Sequence, residues 1–435
     1  MGSNTPNFDM NPISRRSLLA ASASGLARTG LRSSVADTDA GQIPWPEIGR
    51  IAREFVSQES PPTVFPFERP SSAVLANSSR KVFAHYFPFF VLSYENLPLD
   101  RDHWTQFLSK GGESGKWAFA GGFTRERPLT PVPWQSPYWR EINAAVDIIR
   151  AQLVGIDGFG VDLTQIEMPR APDQVRVIYD CAAALAPDFR LVLEPDGDIL
   201  KLASPSQMAS MLMKLASYPN IFRLPDGRVL LLPFGPNGES PEYCHDVVRR
   251  LEDGGEKIAF IPDLVGLIGN ADRFAPISTG ISYWGSRDPI TADSPPIRKA
   301  IEAAKVNGKI WIQPVAPQDA RPKSMILWEA GNTTLFRDLW GQAADFKAQY
   351  VHIITWNAYA EATEIAPSSG TQFLFYDLTA YYVAWFKTGS PPVIVTDAIY
   401  YSHRIEIFDI DDPRSTGGLL FRNLGKTPVR NRMRW

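Results

Sequence analysis

The chain has 435 residues, 44% of them hydrophobic, which is enough for a large core in one big domain with something smaller attached. A formal net charge of -3 leaves no electrostatic footprint for nucleic acid. The 2 cysteines, Cys181 and Cys244, fall in helix-like tracts and the 5 histidines show no paired spacing, so neither a disulfide framework nor a metal site is expected.

In chain order, "NPISRRSLLAASASGLA" comes first. Arg15 and Arg16 precede a weakly apolar run from Leu18 to Ala27 that is too short to span a bilayer. This reads as a twin-arginine-type signal over residues 1–40, with cleavage after Ala36 or Ala40. It predicts export, to the periplasm or beyond, and no stable membrane anchor. Residues 41–80 are rich in Pro and Ser and read as a linker or irregular N-terminal cover.

A regular alternation follows. Strands are predicted at 81–87, 157–163, 189–195, 228–234, 257–264, 280–285, 309–315 and 350–357, and most are followed by a helical pattern. In the helix after residue 136, Ile142, Val146, Ile149 and Leu153 share one face. The strands are continuous apolar runs, as buried parallel strands are. Eight such units over about 310 residues predict an α/β fold, a (β/α)8 TIM barrel spanning 81–389. No Gly-rich phosphate loop follows the first strand, which argues against a doubly wound sheet. The segment 88–136 is too long for a plain connector. After Gly389, "PPVIVTDAIYYSHRIEIFDI" alternates like paired antiparallel strands and predicts a β appendage over 390–435.

In a barrel the chemistry sits at the C-terminal strand ends. Those ends carry His85, Tyr86, Asp162, Glu194, Phe234, Asp263, Tyr283, Trp284, Gln313, Trp356 and Asn357, with Glu361 just beyond. No lysine is among them, which argues against Schiff-base chemistry at this ring. Carboxylates among aromatic platforms fit glycoside hydrolysis, where one acid protonates the leaving oxygen and a second activates water or attacks. Asp157, Asp196 and Asp198 read instead as turn or cap residues.

The tracts "VFAHYF", "GIDGFGVDL", "FIPDL", "GISYWG", "LWEAGNTTLFRDLW" and "IITWNAYAEATEIAP" resemble glycoside hydrolase family 71 in order and spacing, over roughly residues 81–405. That family consists of α-1,3-glucanases with a (β/α)8 barrel followed by a β-sandwich, and the last tract also resembles the α-mannan-cleaving family 99. The resemblance implies an inverting α-glucan hydrolase with a polysaccharide or oligosaccharide substrate; a monomer without cofactor is expected. Glu361 would be one acid/base and Asp263 or Asp162 its partner. His85, Tyr86, Glu194, Trp284, Gln313, Trp356 and Asn357 would hold sugars. One departure stands out. The family tract reads approximately W-N-D-Y-G-E-S, and here Ala358 replaces the Asp, Ala360 the Gly and Ala362 the Ser. Position 358 is expected in a loop rather than the core, where a carboxylate could be restored. The alternative is a barrel that binds glycan without cutting it.

Overall fold

A computed structural model describes residues 43–59, 65–124, 126–129, 133–164, 174–321, 324 and 326–400. The signal segment and most of the predicted β appendage lie outside these residues. Barrel strands are labelled in chain order: β1 Lys81–Tyr86, β2 Gly158–Leu163, β3 Arg190–Pro195, β4 Val229–Leu231, β5 Ile258–Phe260 resuming as Asp263–Leu264, β6 Gly280–Tyr283, β7 Ile310–Val315 and β8 Tyr350–Ile353.

All barrel pairings are parallel. β1 lies between β2 and β8, and the order continues through β7 and β6 on one side and β3 and β4 on the other. β5 closes the ring. Its Ile261 N–H donates to Leu231 of β4, while its Pro262 carbonyl accepts from Ser282 of β6. The break at Ile261–Pro262 follows from proline, which lacks the amide a ladder needs. Each predicted strand is thus present, and the fold is the (β/α)8 barrel.

Side chains alternate across the barrel wall. The inward set at its floor is apolar: Phe83, Val192, Leu230, Leu232, Ala259, Ile261 and Ile312, joined by Tyr350. Phe222 and Leu224, from the short run that pairs beside β3, fill the same floor. Several outer helices open on Ser-Pro. Ser204 and Ser240 cap the backbone N–H groups of Gln207 and Tyr243, and Pro205 and Pro241 start the first turns.

Residues 43–80 differ from the sequence expectation. They hold helices Trp45–Ser57 and Ser72–Asn77. Ile48, Gly49, Ala52 and Val56 form one buried stripe of the first helix, which packs against the Trp139–Leu153 helix. Pro44 and Pro46 at its start obscured that period. The long segment after β1 is a folded cover. Asn357 binds it by accepting from the Phe87 amide at 2.8 Å and donating to the Phe87 and Phe90 carbonyls at 2.9 and 3.1 Å.

Candidate functional site

The inward positions above the apolar floor are polar. His85 of β1, Asp162 of β2, Glu194 of β3, Asp263 of β5 and His352 of β8 are all 0% exposed. His85 Nδ1 donates to Glu194 Oε1 at 2.8 Å, and its Nε2 lies 3.9 Å from Asp162 Oδ2. His352 turns Nε2 to Glu194 Oε2 at 3.5 Å and Nδ1 to Asp263 Oδ2 at 3.6 Å. Glu194 is therefore shared by two imidazoles, each with an aspartate on its far side. Gly160 makes room for it: a Cβ there would lie 2.0 Å from Glu194 Oε2.

Burial alone would raise the Glu194 carboxyl, but the charges of His85 and His352 outweigh it and hold it at about 2. Burial opposes protonation of His352, and the Glu194 and Asp263 carboxylates reverse this, raising it to about 10. Asp263 is raised because burial exceeds the help from His352. Aromatic rings roof the cluster. Phe87, Trp284 and Phe234 stand 4.3, 4.8 and 6.0 Å from the His85 ring, and Trp284 lies 4.2 Å from Phe234.

A second charged group surrounds Glu361. Arg321 Nη1 is 3.3 Å from Glu361 Oε1, and the same guanidinium makes 2.7 Å contacts with both oxygens of Asp319. Asp319 also accepts from Arg287 Nε at 2.6 Å. Burial opposes the Arg321 charge, but Glu361 and Asp319 together raise its pKa. The Glu361 carbonyl accepts from the Ala320 amide at 2.9 Å, which ties the tract after β8 to the Asp319–Arg321 strand. Three residues on, Glu364 is wholly buried, and burial followed by Glu126 pushes its carboxyl well above the usual range.

These contacts relocate several residues of the sequence expectation. Trp356 is 0% exposed on the helix side of the barrel wall, where its Nε1 donates to Asp147 at 3.1 Å and its ring packs on Phe159. Tyr86 stacks on Phe159 and reaches the same Asp147 at 3.4 Å. Gln313 lies outside the barrel too, between Trp311 and Gln342. Asn357 spends its amide on the cover segment. Alternation explains the first errors: residues one apart along a strand face opposite sides of the wall. Trp284 faces inward but is 5% exposed and covers the histidines. Ala358 is fully buried, not in an open loop, and its amide donates to Thr355 Oγ1 at 2.8 Å.

The sequence reading missed His352, Arg321, Asp319 and Gly160. His352 was recoverable, since it lies two positions beyond the inward Tyr350 in an otherwise apolar strand. Glu194 and His85 were singled out, but as sugar ligands; with His352 they offer ligand atoms within 4.8 Å of one another.

The model of glycosyl hydrolase family 71 matches residues 135–417, well over half the chain. This chain belongs to that family. As a family 71 member it is a glycoside hydrolase. Among curated proteins it is 26% identical over 299 residues to a glucan endo-1,3-alpha-glucosidase of Schizosaccharomyces pombe, covering 62% of this chain and 67% of that protein. Two structures of a family 99 endo-alpha-mannosidase from Bacteroides thetaiotaomicron superpose with TM-scores of 0.54 and 0.53 at 14% identity. They cover 71% of this chain and 98% and 97% of theirs, and at that identity they show a shared fold.

Proposed function

We propose that this family 71 member hydrolyses an α-linked glucan, α-1,3-glucan before others, with Glu361 as a reacting carboxylate. The observation that carries this is the match to the glucan endo-1,3-alpha-glucosidase together with a Glu361 held by Arg321 beyond the end of β8. The guanidinium orients the carboxylate that this reading sets to work on substrate or water. Inversion, implied by the family resemblance, needs a second carboxylate about 6.5–9.5 Å away. Asp263 or Asp162 fills that role in this reading. Both are enclosed beneath Trp284 and Phe234, so catalysis through either requires those rings to move aside. A twin-arginine signal that exports the enzyme to its polymer substrate belongs to the same reading.

Reducing-sugar release from α-1,3-glucan, α-mannan and starch tests it, with the anomer of the first product read by NMR. Wild type should release inverted product from α-1,3-glucan, and Glu361→Gln should lower the rate by about 10²–10⁴-fold. Full activity in Glu361→Gln would remove Glu361 from the mechanism. Ala358 and the enclosed aspartates favour one competing reading, a barrel that binds glycan without cutting it. Saturable binding with no product from wild type would establish that instead.

A further inference from the structure

The five buried ionisable groups inside the barrel are arranged as more than an ion-pair cluster. Three carboxylates face two imidazoles in a region with no solvent exposure, so full ionisation of all five leaves a net negative charge where it costs most. Glu194 Oε2 and the two His352 nitrogens meet their neighbours only at 3.5 and 3.6 Å, too far for a good hydrogen bond. Buried polar atoms are usually engaged more closely than that.

The geometry points to a divalent transition-metal site in which His85 Nδ1, Glu194 and His352 Nε2 are the ligands. Their ligand atoms lie within 4.8 Å of one another, all fully buried. Two imidazoles and one carboxylate form a donor set suited to zinc and to non-haem iron. The outer contacts have the matching form. Metal-bound histidines usually present their second ring nitrogen to a carboxylate, which fixes ring orientation and raises ligand basicity. Here His85 Nε2 faces Asp162 at 3.9 Å and His352 Nδ1 faces Asp263 at 3.6 Å. Both histidines follow the rule independently, on different strands.

The surroundings fit as well. Gly160 keeps the Glu194 side free, since any Cβ there would lie 2.0 Å from Oε2 and 3.4 Å from His352 Nε2. Phe87, Phe234 and Trp284 exclude water above, and the apolar floor does so below. A cation would replace the proton His85 Nδ1 now donates to Glu194, and proton release on binding is the usual consequence. It would tie β1, β3 and β8 together inside the barrel. None of the three ligands is Glu361, though the assignment shares Asp162 and Asp263 with the proposed hydrolysis.

The test uses the full chain and Zn²⁺ as the probe. Protein expressed in zinc-supplemented medium should carry about one ion per chain by plasma mass spectrometry. Unfolding in chelator followed by refolding should give a lower Tm, restored by Zn²⁺ added during refolding. Co²⁺ refolded in its place should show the intense visible absorption of a low-symmetry nitrogen–oxygen site. Glu194→Gln and His352→Gln should lose the ion, and Asp263→Asn should weaken affinity about 10–100-fold. Folded wild type with only trace metal, and a Tm indifferent to chelator and Zn²⁺ throughout, would overturn the proposal. Stoichiometric metal that survives both ligand substitutions would overturn it equally. Glu361→Gln, which leaves the interior cluster intact, should keep the ion whatever its glucanase activity, so failure of the glucanase reading and failure of the metal assignment are read apart.

Discussion

Gly160→Ala probes the packing inside the barrel most directly. The added methyl would lie 2.0 Å from Glu194 Oε2 and 3.2 Å from its Cδ, far inside contact distance. Glu194 has little room to yield. It is 0% exposed, and its other oxygen is bonded to His85 at 2.8 Å. Two escapes exist. Backbone and side-chain shifts that absorb one extra methyl in a packed core cost about 1–3 kcal/mol. Swinging the carboxylate out of its buried ion pairs costs about 3–5 kcal/mol. The cheaper escape wins, and so severe an overlap puts it near its upper end, about 3 kcal/mol. With an unfolding entropy of about 2.1 cal/mol/K per residue over residues 81–389, that is a Tm fall of about 5 °C. Thermal melts followed by circular dichroism at several scan rates measure it. In the Glu194→Ala background, Gly160→Ala should cost clearly less than it does in wild type, because the atom the methyl meets is gone. A single mutant within about 1 °C of wild type, or a double mutant whose losses simply add, would mean the carboxylate does not occupy the space Gly160 leaves.

Asp147 supplies a pH test. Burial raises its carboxyl to about 6 against hydrogen bonds from Trp356 and Tyr86, so between about 4 and 6 the folded state binds the proton that the unfolded state releases. Stability should fall by roughly 3 kcal/mol across that window and stay flat above it as far as this group is concerned, and Asp147→Asn should flatten the curve in urea titrations. Ala358→Asp places a carboxylate at a fully buried position, so its Tm should drop by several degrees; glucanase activity should nevertheless rise if the family's missing acid is what limits the rate, and unchanged or lower activity would discard that idea. Replacing Arg15 and Arg16 with Lys should leave the protein in the cytoplasm, as fractionation would show, and normal export of that variant would refute the twin-arginine assignment.

The fold was legible in the sequence because its main signals are local. Eight apolar runs separated by helical periods leave few architectures open, and each predicted strand occurs where expected. The family was legible for the same reason, through short tracts in fixed order. The N-terminal helix at Trp45–Ser57 was not, since its buried stripe is short and begins among prolines. For the site, the sequence named the strand ends but not their direction. Trp356, Tyr86 and Gln313 were assigned to substrate and instead lock the wall to its helices, at Asp147 and Gln342. Only closure of the barrel brings His85 within reach of Glu194, 109 residues away, and places His352 on the other side of that carboxylate. Whether three carboxylates and two histidines form a cluster depends on strand register and on the space left at Gly160. These are properties of the assembled ring: the pairing of β1 with both β2 and β8 sets them, and no stretch of chain carries them alone.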